Sequence, residues 1–119
     1  LMAIHDGRTT LPGLAFCRNW LGKQGLEARH LAGLQARGNS MEPTIRNAES
    51  ILVDLEQREI IDGEIYVIQD DNSFLIKRLQ RQLSGKLRML CDNPMYPVIE
   101  CPEAEIKVVG RVVWRGSLL

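Results

Sequence analysis

Ile65-Tyr66-Val67-Ile68, then Asp70-Asp71-Asn72-Ser73, then Phe74-Leu75-Ile76-Lys77-Arg78-Leu79 read together as two β-strands joined by a tight turn. β-Branched and aromatic residues suit a pleated, half-buried surface. A cluster of Asp, Asn and Ser between two apolar runs supplies the turn that reverses the chain. Because side chains alternate along a strand, Leu75, Lys77 and Leu79 share one face and Phe74, Ile76 and Arg78 the other. A lysine between two leucines is unusual, since burying an ammonium is costly, and an amine in apolar surroundings is the kind that can act as a base. Arg78, on the opposite face, is expected to stay charged in water.

Working outward, the same rhythm recurs. Ile45 to Ser50 reads as a polar turn, Ser50 to Asp54 as a compact strand, and Ile60 to Glu64 as the turn before Ile65. Gln82 to Lys86 is a further turn and Leu87 to Leu90 a strand with Leu87 and Met89 on one face. Asp92-Asn93-Pro94-Met95-Tyr96-Pro97 is dense in turn formers and predicts an ordered loop. Val108 to Trp114 reads as a strand near the C-terminus, bent at Gly110.

Upstream, Leu31 to Arg37 predicts a strand that feeds the turn Gly38-Asn39-Ser40-Met41-Glu42-Pro43-Thr44. Phe16, Trp20 and Leu21 give Leu14 to Gln24 the spacing of a short amphipathic helix ending near Gly22 or Gly25, with its aromatic residues packed on the sheet. Residues 1–13, with Gly7, Pro12 and Gly13, predict an irregular arm. The fold class is therefore mostly β, several short antiparallel strands with one short N-terminal helix, in a domain spanning residues 14–119.

Composition sets the outer bounds. With 119 residues the chain is the size of one domain. Lys plus Arg and Asp plus Glu are both 15, so no basic block attracts phosphate backbones and the chain is a poor DNA binder by itself. Cys17, Cys91 and Cys101 form an odd set without Cys-x-x-Cys spacing, which speaks against a disulfide framework or a zinc site and for reduced thiols in the cytoplasm. No apolar run reaches the length of a membrane span, and no secretory signal pattern opens the chain. No cofactor or metal is expected.

The serine turn carries the chemistry. A serine hydroxyl needs a base within reach to act as a nucleophile. Of the two histidines, His5 lies in the irregular arm and His30 in a polar stretch before a strand, and no Gly-x-Ser-x-Gly elbow surrounds a serine, so a Ser-His-Asp arrangement is weak. Lys77 is the lysine with an apolar strand context, whereas Lys23, Lys86 and Lys107 lie in polar ones. The backbone N–H groups of Asn39 and Ser40 are candidates to hold an oxyanion. From these residues alone two readings stand, a Ser40–Lys77 dyad and a structural turn with a surface lysine that never meets it.

Arg37-Gly38-Asn39-Ser40-Met41-Glu42-Pro43-Thr44-Ile45 and Ile76-Lys77-Arg78-Leu79 resemble the serine and lysine motifs of the self-cleaving repressor family that includes LexA, the lambdoid phage repressors and the UmuD proteins. The resemblance extends through Ser50–Asp54, Asp62–Val67, Asp92–Pro97 and Val109–Trp114, covering residues 14–114. Within that family the chain most resembles the prophage repressors with a Cro-type helix-turn-helix domain ahead of the peptidase-like domain. The resemblance implies that Ser40 attacks a peptide bond of its own chain, that Lys77 takes the proton, and that the Asn39 and Ser40 amides hold the oxyanion.

It further implies a homodimer, stimulation by a RecA filament in the DNA-damage response, and operator binding through a helix-turn-helix domain outside this chain. Asn39 stands where many relatives have aspartate, and Ala48 where they often have glycine. Relatives are cut at an Ala-Gly or Cys-Gly bond a few dozen residues before the serine. The arm, a possible cleavage-loop region, offers only Met2-Ala3-Ile4-His5-Asp6-Gly7 near that distance. The Ala32-Gly33 pair, inside the strand that feeds the turn, reads as an ordinary strand pair. Alternatives are a non-cleaving dimerisation and effector-sensing domain, a UmuD-like polymerase accessory, and a signal peptidase, against which the missing membrane anchor counts.

Overall fold

The computed structural model describes residues 2–3 and 18–119. Among the described residues eight strands form one sheet: β1 (Met2–Ala3), β2 (Leu31–Gln35), β3 (Ser50–Asp54), β4 (Ile65–Asp70), β5 (Ser73–Arg81), β6 (Lys86–Leu90), β7 (Ile99–Pro102) and β8 (Lys107–Gly116). Their spatial order is β1-β2-β3-β8-β4-β5-β6-β7. Only β1 and β2 pair in parallel, and every other neighbouring pair is antiparallel. The mostly β class with one short helix, α1 (Arg18–Lys23), is what the residue pattern predicts.

The last strand lies in the middle. β8 joins β3 on one side to β4 on the other. It carries a bulge toward each: opposite Leu52/Val53 the pairing jumps from Trp114 to Val112, and opposite Val67/Ile68 from Gly110 to Val108. Such extra residues sharpen the local twist. Gly110, where a bend was expected, is required by close approach, because a Cβ there would lie 2.5 Å from the Asp54 carbonyl oxygen and 2.8 Å from Val53 Cγ1.

β3 and β4 are apolar at successive positions because both sheet faces are covered. Ile51 and Val53 face a cluster with Leu34, Met41, Ile45 and Val67, while Leu52 faces Leu21 and Leu31. Tyr66 and Ile68 face a second cluster with Ile60, Leu79, Leu87 and Met89. The fully buried Tyr66 keeps its hydroxyl satisfied, accepting from the Ile61 amide at 2.8 Å and donating to the Glu59 carbonyl at 2.9 Å. β4 and β5 meet through a two-residue turn, with Asp70 opposite Ser73. Along β5, Phe74 and Ile76 pack on the first cluster and Leu75 and Leu79 on the second, the alternation expected of them.

Three expectations need correction here. Met2–Ala3 of the arm is strand, held by pairing with Ala32 and Gly33, while the rest of residues 1–13 lies outside the described residues. The helix is described over Arg18–Lys23 and ends between Gly22 and Gly25 as expected, while residues 14–17, Phe16 among them, lie outside the described residues. Trp20 is 40% exposed, so Leu21 alone of the apolar helix residues described is core. β7 was not expected at all.

Candidate active site

Gly38 to Thr44 follows β2 and is closed into a loop by the backbone. The Ala36 amide donates to the Glu49 carbonyl at 2.8 Å, and the Ala48 amide to the Ala36 carbonyl at 2.9 Å. Gly38, with φ +82°, takes a conformation that side chains resist, and its amide donates to Asn47 Oδ1 at 2.8 Å. Ala48 has φ +71°, so this alanine retains the left-handed geometry a glycine would hold there. The Glu42–Pro43 peptide is cis. Met41 and Ile45, 3% and 2% exposed, anchor the turn in the first core cluster.

A second loop braces it. The Asn93 amide donates to the Ser40 carbonyl at 3.0 Å and Asn93 Nδ2 to the Asn39 carbonyl at 3.1 Å. The Tyr96 hydroxyl donates to Asn39 Oδ1 at 2.6 Å. Asp92 completes the junction, accepting from the Thr44 hydroxyl at 2.5 Å and from both arms of the Arg78 guanidinium, Nε at 2.8 Å and Nη2 at 2.7 Å. Arg78 also donates to the Gly63 carbonyl. Its hydrogen bonds hold the Asp92 carboxyl below the usual carboxylate range, Thr44 adding to the effect and burial opposing it. Arg78 is therefore held by a half-buried ion pair rather than left to water.

Ser40 and Lys77 line the same cleft of about 110 Å³, walled by Leu34, Met41, Ile45 and Ile76. Both residues are half-buried. The Lys77 amine donates to Cys91 Sγ at 3.0 Å, and among the described residues no hydrogen bond joins it to Ser40. Neither the Asn39 nor the Ser40 amide donates to another group among the described residues. A serine and a lysine thus border one cavity, with the Asn39 amide one residue before the serine; a hydroxyl, an amine and backbone N–H donors are the groups that acyl transfer needs.

Ala32 and Gly33 are paired on both sides, to Met2 and Ala3 in β1 and to Val53 and Leu52 in β3, the ordinary strand pair that was expected. The bracing by Asp92, Asn93 and Tyr96 was not foreseen. Its signal was the density of turn formers from Asp92 to Pro97, which predicts order but names no partner. Among the described residues no group of His, Cys, Asp or Glu is placed to hold a metal, and no helix is long and apolar enough to cross a membrane.

A family model described as Peptidase S24-like matches residues 8–113. The chain is 37% identical over 83 residues to the repressor protein CI of Enterobacteria phage phi80, covering 70% of this chain and 35% of that protein. It is 34% identical over 128 residues to the HTH-type transcriptional regulator PrtR of Pseudomonas aeruginosa, covering 98% of this chain and 50% of that one. With LexA repressor 2 of Pseudomonas putida it shares 38% identity over 79 residues, 65% of this chain and 38% of the relative. The chain thus spans a third to a half of the length of these curated relatives.

Proposed function

This chain belongs to the Peptidase S24-like family, and from that premise we propose that it is the regulatory, self-cleaving domain of a phage-type transcriptional repressor. The observation that carries the reading is the placement of Ser40 and Lys77 on one cleft, reached from two segments distant in sequence. Ser40 Oγ attacks the carbonyl carbon of a peptide bond in its own polypeptide while Lys77 Nζ takes the hydroxyl proton. The Asn39 and Ser40 amides stabilise the oxyanion, Lys77 returns the proton to the departing amine, and water releases the acyl-serine. For the first step Lys77 exchanges its Cys91 contact for Ser40.

In this reading residues 14–119 are the peptidase and dimerisation unit, and cutting separates it from an operator-binding helix-turn-helix domain. Two copies associate, and a RecA filament on single-stranded DNA favours the cleavable state in the cytoplasm during DNA damage. Relatives named as repressors and HTH-type regulators support the transcriptional role.

The test is incubation of full-length protein at alkaline pH, where an amine base is more often unprotonated. Ser40→Ala and Lys77→Ala each reduce cutting by about a thousandfold or more. Unchanged cutting in both variants sinks the proposal. A second reading, a dimerisation and effector-sensing domain that has lost cutting, is favoured by the Lys77–Cys91 contact. It prevails where full-length Ser40→Ala protein still releases its operator after DNA damage.

A further inference from the structure

Cys91 follows β6 directly, and Arg78 of β5 pairs with Leu90 of β6, so the register sets Lys77 beside Cys91 across the two strands. The bidentate Arg78–Asp92 pair lies next to them and fixes that register. The result is a 3.0 Å contact between the Cys91 thiol and the amine of Lys77, a residue that lines the cleft with Ser40. The thiol is half-buried, open to a small oxidant. In the proposed cleavage mechanism Cys91 takes part in no bond made or broken and is only the contact that Lys77 gives up. Cys101, the other cysteine described, has no hydrogen bond from an amine among the described residues, and its thiol is pushed up by burial and by Glu105.

We propose that Cys91 and Lys77 are a modification site at which a peroxide forms a reversible sulfur–nitrogen link. In the first step the Cys91 sulfur attacks hydrogen peroxide, the O–O bond breaks, and the thiol becomes a sulfenic acid with release of water. In the second, the Lys77 nitrogen attacks that sulfur, the S–N bond forms, the S–O bond breaks, and the hydroxyl leaves with an amine proton as a second water. Sulfur is oxidised and peroxide reduced, and the protein ends two hydrogens lighter. A thiol reductant reverses the link, giving back Cys91 and Lys77 and becoming a disulfide. The consequence for the cleft rests on the reading of Lys77 as base: linked nitrogen is neither basic enough nor free enough to serve Ser40.

The experiment treats the full-length protein with hydrogen peroxide, digests it at arginine, and analyses the peptides by mass spectrometry. The expected product joins peptide 59–78 to peptide 89–111, two hydrogens lighter than their sum, with fragmentation placing the link at Lys77 and Cys91. It disappears on thiol reduction and is absent from Cys91→Ser and Lys77→Arg. Recovery of peptide 59–78 unlinked while Cys91 is oxidised to the sulfinic acid, or paired with Cys101, overturns the proposal. In parallel, self-cleavage at alkaline pH is expected to fall in proportion to the linked fraction and to lose its peroxide sensitivity in Cys91→Ser. A link that forms in protein that never cuts itself, oxidised or reduced, upholds the modification site and removes the peptidase reading instead.

Discussion

The Tyr96 hydroxyl donates to the Asn39 side-chain oxygen at 2.6 Å, tying a loop after β6 to the residue before Ser40. Together with the two bonds from Asn93, this fixes the backbone of the serine turn from outside it. Orientation at the level of an ångström governs rate in such a site, so the brace bears on cutting more than on stability. Tyr96→Phe is expected to slow self-cleavage about tenfold while costing about 1 kcal/mol or less in stability. Rates from full-length protein at alkaline pH, set beside thermal melting, check it. A large loss of stability with unaltered cutting contradicts it.

Asp92 carries a pH prediction. Arg78 and Thr44 stabilise its ionised form in the fold, so its folded pKa lies below the unfolded one. A depressed carboxylate contributes stability that is fully present above its unfolded value, about 4, and is lost as pH falls through the folded value. Asp92→Asn is expected to destabilise the domain by about 1–3 kcal/mol at neutral pH, with the deficit shrinking under acid conditions. Urea unfolding across the acid range measures it, and a deficit that does not vary with pH counts against the assignment.

Ala48 stands at φ +71° in the turn before β3. Left-handed geometry costs a side-chain-bearing residue about 1–2 kcal/mol, partly offset by the flexibility glycine adds to the unfolded chain. Ala48→Gly is therefore expected to stabilise the domain by about 0.5–1 kcal/mol, read as a higher urea midpoint with an unchanged slope.

Gly110→Ala is expected to cost about 2–4 kcal/mol, because the added carbon meets the Asp54 backbone, which cannot swing away as a side-chain end can. Denaturant midpoints test this. A neutral outcome means β8 sits farther from β3 than described.

Much of the sheet is legible in the residues because burial on both faces leaves continuous apolar runs, as in Ser50–Asp54 and Ile65–Ile68. β7 escapes notice for the opposite reason. Ile99-Glu100-Cys101-Pro102 is a short edge strand with one side open, mixed polarity and a proline, and only its pairing with Lys86–Met89 makes it strand. Met2–Ala3 is likewise strand by virtue of its partner, Ala32–Gly33. Ser40 and Lys77 stand out through their motifs, whereas Asn93, Tyr96 and Cys91 become relevant only by contacts across the fold that local pattern does not encode.

The central position of β8 bears on how the molecule is made. Strands β1 to β3 and β4 to β7 are two sets whose backbone ladders are joined only through β8, which follows both in the chain. Until β8 is available, the strand sets that carry Ser40 and Lys77 have no ladder between them. On the proposed self-cleaving reading, the sheet beneath the cleft is completed only once Gly116 has cleared the exit tunnel, so the order in which the strands appear would delay cutting until the domain is whole.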